Sequence, residues 1–216
     1  MNIKACLFDL DGVIVDTAKY HFIAWREIAR ELGFEFTEVH NERLKGISRM
    51  RSLEILLEIG KIAIDEETKV LLAEKKNNNY VQYILKMDPG EILPGVKEFI
   101  KECRLFKIKT ALGSASKNAM VILNRLQIAD LFDAVIDGTK VTKAKPDPEI
   151  FLKGAEALNI PYQNCIVFED AEAGIEAAIA ANMKCVGIGK PEILGKANIV
   201  IPGFMDFTIE KLIELI

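Results

Sequence analysis

Two aspartates one residue apart, Asp9 and Asp11, end the apolar run of Ile3, Ala5, Cys6, Leu7 and Phe8, and Gly12 follows them. Side chains at i and i+2 of an extended chain share a side. Both carboxylates can then address one bound group, one as nucleophile and the other as general acid/base. Gly12 permits an unusual backbone turn at that point. Taken alone, D-x-D-G reads equally as an Asp-Gly turn beside a helix cap. Three later stretches carry the same double reading. Gly113-Ser114-Ala115-Ser116-Lys117-Asn118 offers hydroxyls and backbone N–H groups suited to an anion, and Ser116 also reads as a plain N-cap. Lys145, in Lys143-Ala144-Lys145-Pro146-Asp147-Pro148, stands before a rigid turn, where a lysine is commonly solvated surface. Phe168-Glu169-Asp170 places adjacent carboxylates before a small-residue helix, a site for a hard, oxygen-ligated cation such as Mg²⁺, although Asp170 alone reads as a helix cap.

These four groups act together only if the fold delivers them to one rim. A near-continuous apolar run is the mark of a parallel strand covered on both faces, and such sheets bind ligands at the carboxyl ends of their strands. The pattern predicts strands at 3–8, 108–112, 134–136, 165–168, 185–188 and 199–201, with helices at 96–103, 117–126, 148–158, 171–181 and from 208 onward. Asp147 and Pro148 supply an N-cap and a first-turn proline. The alternation is that of βαβ units, and each of the four groups lies in the segment that follows a predicted strand.

Residues 16–87 differ in character. Phe22, Trp25, Ile28, Ala29 and Leu32 recur at helical spacing up to Gly33, Leu53, Leu56 and Leu57 repeat the device up to Gly60, and a third helix is predicted over 66–84. This is a helical insert tethered by residues 13–17 and by Met87-Asp88-Pro89-Gly90. The domain reading is therefore a catalytic core of 1–15 with 88–216, and a helical cap domain of 16–87.

Composition narrows the function classes. The 216 residues, 50% hydrophobic and 28% charged with a net charge of −4, are those of a globular protein without the basic stripe of a nucleic-acid binder. Cys6, Cys103, Cys165 and Cys185 lie in apolar patterns without metal-ligand spacing, as reduced buried thiols do. Asp9 and Asp11 interrupt any leader-like apolar region, and no run of 18 apolar residues occurs, so the expectation is a cytoplasmic protein with no membrane partner.

In order and residue type, Asp9/Asp11, Ser114, Lys145 and Glu169/Asp170 resemble the four short motifs of the haloacid dehalogenase superfamily, and the resemblance covers the whole chain. It implies an α/β fold with a Rossmann-like, doubly wound parallel sheet core and a small helical cap inserted after the first strand. It further implies a phosphoaspartate formed on Asp9, with Asp11 as acid/base and with Ser114 and Lys145 completing the catalytic set. Mg²⁺ would sit on the Asp9 carboxylate, the Asp11 backbone carbonyl, Glu169 and Asp170.

Three stretches of the insert resemble the sugar-phosphate mutases of that superfamily. They are Asp16-Thr17 with His21 and Ala24-Trp25, Leu44-Lys45-Gly46-Ile47-Ser48-Arg49 with Ser52-Leu53, and Lys76-Asn77-Asn78-Asn79-Tyr80. The resemblance implies that Arg49 grips the phosphate distant from the metal and that Lys45, Gly46, Ser52 and Lys76 line the sugar. It also implies that His21 links cap closure to Asp11, and that Thr17, Trp25, Ser114, Ala115, Ser116, Lys117 and Asn118 complete the substrate pocket. A bisphosphate intermediate needs a second cationic site away from the first, and arginine suits it by bidentate geometry. Met50-Arg51 departs from the pattern by an extra positive charge expected to shift substrate preference. The implied activity interconverts β-D-glucose 1-phosphate and D-glucose 6-phosphate through β-glucose 1,6-bisphosphate, in a monomer whose partner is a small sugar phosphate. The alternative is a Mg²⁺-dependent phosphatase of small phosphomonoesters. A receiver-type phosphoacceptor is disfavoured by the length, the insert and the first-strand position of Asp9.

Overall fold

The computed structural model describes residues 3–44 and 47–216. Six strands, β1 (Ala5–Phe8), β2 (Lys109–Gly113), β3 (Ala134–Ile136), β4 (Cys165–Glu169), β5 (Lys184–Ile188) and β6 (Ile199–Ile201), form an all-parallel sheet. Their order is β3-β2-β1-β4-β5-β6, so the chain reverses direction across the sheet between β1 and β4. That reversal opens a crevice beyond the carboxyl ends of the central strands.

Strand periodicity distributes the β1 side chains between two cores. Cys6 and Phe8 pack with α5 (Val96–Leu105), α6 (Ala119–Arg125) and α10 (Ile209–Leu215). Ala5 and Leu7 pack with α7 (Glu149–Leu158), α8 (Glu172–Ala180) and α9 (Pro191–Leu194) on the opposite face. Helices on both faces explain why every β1 side chain is fully buried and why the strand reads as continuously apolar.

Between β1 and α5 lie α1 (Ala18–Glu31), α2 (Glu38–Glu42), α3 (Arg49–Gly60) and α4 (Glu66–Ile84). They bury a cluster of their own around Trp25, Ile28, Phe36, Leu53, Leu56 and Ala73. Ala24, Tyr80, Ile84 and Met87 instead join the cluster beneath the sheet, so the base of the helical segment packs on the core. No helix among the described residues is long and apolar enough to cross a membrane.

The elements agree with the sequence reading except at short helices and boundaries. The five-residue α2 gives no helical period. It is organised by a cap in which Thr37 Oγ1 accepts from the His40 N–H at 3.4 Å and His40 Nδ1 accepts from the Thr37 N–H at 3.2 Å. Helix α6 starts at Ala119 rather than 117, and Ser116 is not its N-cap. Helix α7 has Pro148 at the N-cap, while Asp147 Oδ1 takes the Glu149 N–H at 3.0 Å.

Candidate active site

The register that pairs Phe8 with Leu112 on one side and Phe168 on the other sets the ends of β1, β2 and β4 in line. Phe8 and Phe168 stack with ring centroids 4.9 Å apart, giving a rigid apolar floor beneath the residues that follow them. The Asp9 N–H donates to the Phe168 carbonyl at 3.0 Å, so Asp9 and Glu169 emerge side by side.

Lys145 arrives from the loop after β3, followed by a cis Lys145–Pro146 peptide. Its buried ammonium donates to Asp9 Oδ1 at 2.6 Å and to Glu169 Oε1 at 2.5 Å. The surface alternative for Lys145 is thereby excluded. The loop is held by Glu149, whose Oε2 accepts from Thr142 N, Thr142 Oγ1 and Lys143 N at 2.8–3.0 Å. Glu169 Oε2 accepts from the N–H groups of Asp170 and Ala171 at 2.8 and 3.1 Å. Ala171, not Asp170, is the N-cap of α8, which removes the capping explanation for Asp170.

Asp9, Glu169 and Asp170 bring carboxylate oxygens within 4.8 Å of one another. Burial pushes the Asp9 carboxyl well above the usual range. Lys145 pulls it down, and Glu169, Asp11 and Asp170 repel it upward again. Lys145 shows the converse balance: burial disfavours its charge, but Asp9 and Glu169 more than restore it and raise its pKa. Asp9 and Glu169 share the Lys145 ammonium, and with Asp170 they gather hard oxygen donors, a donor set that fits a divalent cation of the Mg²⁺ type. Two close approaches maintain it. A Cβ on Gly12, whose φ is +78°, would fall 2.0 Å from Asp170 Oδ2, and one on Gly174 would fall 1.8 Å from Glu169 Oε1.

The Asp11 side chain is not part of this cluster among the described residues. The N–H of Asp11 donates to Asp9 Oδ2 at 3.0 Å, while its carboxylate accepts a hydrogen bond from the hydroxyl of buried Thr17. Burial raises the Asp11 pKa and the Thr17 bond opposes that rise. Ser114 is fully buried at the end of β2; its N–H bonds the Ile136 carbonyl at 3.0 Å, and its Oγ accepts from Ser116 N at 3.1 Å. Ser116 Oγ accepts from Asn118 N at 3.2 Å, and Ala115 and Lys117 are exposed on the same rim.

The helical segment closes over this rim. His21 Nδ1 lies 2.7 Å from Lys76 Nζ, and the His21 ring packs on Tyr80 with centroids 4.2 Å apart. Among the described residues Asp11 bonds Thr17 and His21 bonds Lys76, with no direct hydrogen bond between His21 and Asp11. Burial, with Lys76 and Arg49 nearby, drives the His21 pKa well down. Buried Lys76 rests over the rings of Trp25 and Tyr80, each at 4.8 Å. Burial and Arg49 lower its pKa to about 7, against a smaller opposing pull from Asp11. Trp25 is therefore both core and a face for this cation.

Arg49, the first residue of α3, donates from Nη2 to Asn77 Oδ1 at 2.7 Å, and the same oxygen accepts from Asn118 Nδ2 at 2.9 Å. Ser52 is buried and spends its hydroxyl on the Ser48 carbonyl at 3.1 Å, within its own helical turn. Arg51 points elsewhere: it pairs with Glu54 at 2.7 Å and Glu58 at 3.5 Å on the outer surface, so the extra charge is locally neutralised and the expected shift in substrate preference has no structural support. Lys45 and Gly46 lie outside the described residues.

Sequence reasoning left Asn77, Tyr80 and Gly174 out of the site. Asn77 and Tyr80 sat within a quoted stretch but carried no signal of what they face, and Gly174 looked like one small residue in a small-residue helix. The Tyr80 hydroxyl is buried with no hydrogen-bond partner among the described residues.

A family model described as haloacid dehalogenase-like hydrolase matches residues 3–182. The chain is 45% identical to a β-phosphoglucomutase of Bacillus subtilis, an alignment covering 98% of this chain and 94% of the relative. It is 33% identical to a phosphorylated carbohydrates phosphatase of Thermotoga maritima, over 84% of this chain and 82% of the relative. The crystal structure of a β-phosphoglucomutase from Clostridium difficile superposes with a TM-score of 0.94 at 48% identity, covering 99% of this chain and 96% of that one. A buried carboxylate, lysine and acidic-pair cluster at the switch point of a parallel sheet is thus accompanied by likeness over nearly the full length, and the chain belongs to the haloacid dehalogenase-like hydrolase family.

Proposed function

We propose that the protein interconverts β-D-glucose 1-phosphate and D-glucose 6-phosphate through an aspartyl phosphate on Asp9 and β-glucose 1,6-bisphosphate. The observation that carries this reading is that likeness to the Bacillus subtilis and Clostridium difficile β-phosphoglucomutases runs through the helical segment as well as the core. That segment, residues 16–87, is the cap domain of the proposal, and residues 1–15 with 88–216 are its catalytic core.

In the proposed reaction an Asp9 carboxylate oxygen attacks phosphorus, forming the acyl phosphate while the bond from phosphorus to the sugar oxygen breaks. Asp11, released from Thr17, gives its proton to that departing oxygen. The phosphorus attacked is that on C1 of bound β-glucose 1,6-bisphosphate, so glucose 6-phosphate leaves. In the second half the C6 hydroxyl of an incoming β-glucose 1-phosphate attacks the phosphoaspartate, regenerating the bisphosphate and free Asp9, and Asp11 takes the proton back. Lys145 and the Ser114 hydroxyl balance charge on the transferring group, while Arg49, Ser116, Lys117 and Asn118 hold the second phosphate. His21, Trp25, Lys45, Gly46, Ser52 and Lys76 line the sugar. The Asp9 carboxylate, the Asp11 carbonyl, Glu169 and Asp170 would hold Mg²⁺, which supplies neutralisation of the phosphoryl charge when bound. The proposal includes a cytoplasmic monomer; the four free, buried cysteines agree with a reducing compartment.

A coupled assay on each anomer of glucose 1-phosphate tests the reading: the β anomer yields glucose 6-phosphate and the α anomer does not. Net release of inorganic phosphate as the main product would favour instead the phosphatase reading, which the Thermotoga maritima relative supports.

A further inference from the structure

The Asn77 carbonyl oxygen receives two donors from opposite sides of the cleft. Arg49 Nη2 approaches at 2.7 Å from α3, and Asn118 Nδ2 at 2.9 Å from the N-cap of α6 in the core. Arg49 is half-buried and pairs with no carboxylate among the described residues. A guanidinium and an amide N–H converging on one oxygen make an arrangement that also suits one oxygen of a phosphate.

We infer that Asn77 is a positioning residue that acts as an exchangeable latch. It keeps Arg49 and Asn118 converged, ties the helical segment to the core through one shared atom, and yields both donors to a phosphate oxygen of the incoming sugar phosphate. The inference rests on the two-phosphate reading above. Its physical basis is the ranking of acceptors: hydrogen bonds to an anionic oxygen are shorter and about twice as strong as those to a neutral amide, so a phosphate displaces Asn77. A carboxylate at this position would compete on equal terms and hold the guanidinium back. No acceptor at all would leave the two donors unconverged and raise the open fraction, which weakens apparent affinity in proportion.

The test combines small-angle X-ray scattering without added sugar phosphate and steady-state kinetics with β-glucose 1-phosphate. Asn77→Ala is expected to scatter with a larger radius of gyration than the wild type. Asn77→Asp, nearly isosteric, is expected to stay compact while KM rises about tenfold or more and kcat changes less. In an Arg49→Ala background the effect of Asn77→Asp on KM should shrink below about threefold, because no guanidinium remains to be sequestered. Wild-type scattering by Asn77→Ala, or an undiminished Asn77→Asp effect in the double variant, would overturn the latch. If the wild type fails to convert glucose phosphates the mutase reading falls, and the scattering comparison still decides the latch.

Discussion

Arg49→Ala separates phosphoryl transfer between sugars from phosphoryl chemistry at Asp9. In the structure Arg49 makes one hydrogen bond to a neutral amide and no ion pair among the described residues, so truncation should cost folding only about 1 kcal/mol. For a chain of this length that corresponds to a fall in Tm of roughly 2–4 °C. Against a desolvated phosphate the same side chain is worth on the order of 2–5 kcal/mol, or roughly 30-fold to several thousand-fold if the contact is expressed in the transition state. A small donor such as acetyl phosphate has no second phosphate to lose. The assay therefore measures two rates on one preparation: phosphorylation of Asp9 by acetyl phosphate with its slow hydrolysis, and conversion of β-glucose 1-phosphate to glucose 6-phosphate. The first should stay near the wild-type value while the second collapses. Equal losses would indicate a general defect of closure or folding, and no loss in either would remove Arg49 from the phosphate site and move the assignment to the phosphatase.

Asp9→Asn should fold normally and yield no phosphorylated peptide after acid quenching; substantial residual turnover would refute Asp9 as nucleophile. Chelation of Mg²⁺ should stop the reaction, and Asp170→Ala should raise the Mg²⁺ concentration needed for half-maximal rate, whereas unchanged metal dependence would remove Asp170 from the ligand set. Gly174→Ala should lower stability by about 1–3 kcal/mol by driving a methyl into Glu169, read as a shifted denaturant midpoint; a wild-type midpoint would show that Glu169 is free to move. Lys76, with its pKa lowered to about 7, should lose its charge as pH rises through that value, so KM for the sugar phosphate should climb on the alkaline side. Lys76→Arg keeps its charge and should flatten the climb. Stability linked to Lys76 runs the other way, increasing with pH between about 7 and the ordinary 10.5, because there the unfolded chain holds a proton the folded one lacks. A KM profile identical in the wild type and Lys76→Arg would exclude Lys76 as the titrating group.

The parallel sheet and the helical insert were legible in the sequence because both rest on local rules. Burial on both faces makes β1, and β4 as far as Phe168, continuously apolar, and one-sided burial gives α1 and α4 their period. That Asp9, Ser114, Lys145 and Glu169/Asp170 follow successive strands was equally readable, since α/β sheets collect loops at one edge. Distances and partners were not. Whether Lys145 is surface or buried between two carboxylates depends on the path of a loop pinned by Glu149, and no periodicity encodes that path. The turn of Asp11 toward Thr17, the engagement of His21 by Lys76, and the meeting of Arg49 and Asn118 on Asn77 join residues up to 69 positions apart, since Arg49 lies on α3 and Asn118 at the start of α6. Sequence determined which chemical groups reach the rim. Only the tertiary structure, through the path of the loop after β3 and the docking of the helical segment onto the sheet, decided which of them touch, because hydrogen bonds and charge coupling fall away within a few ångströms, and spacing along the chain does not specify separation in space.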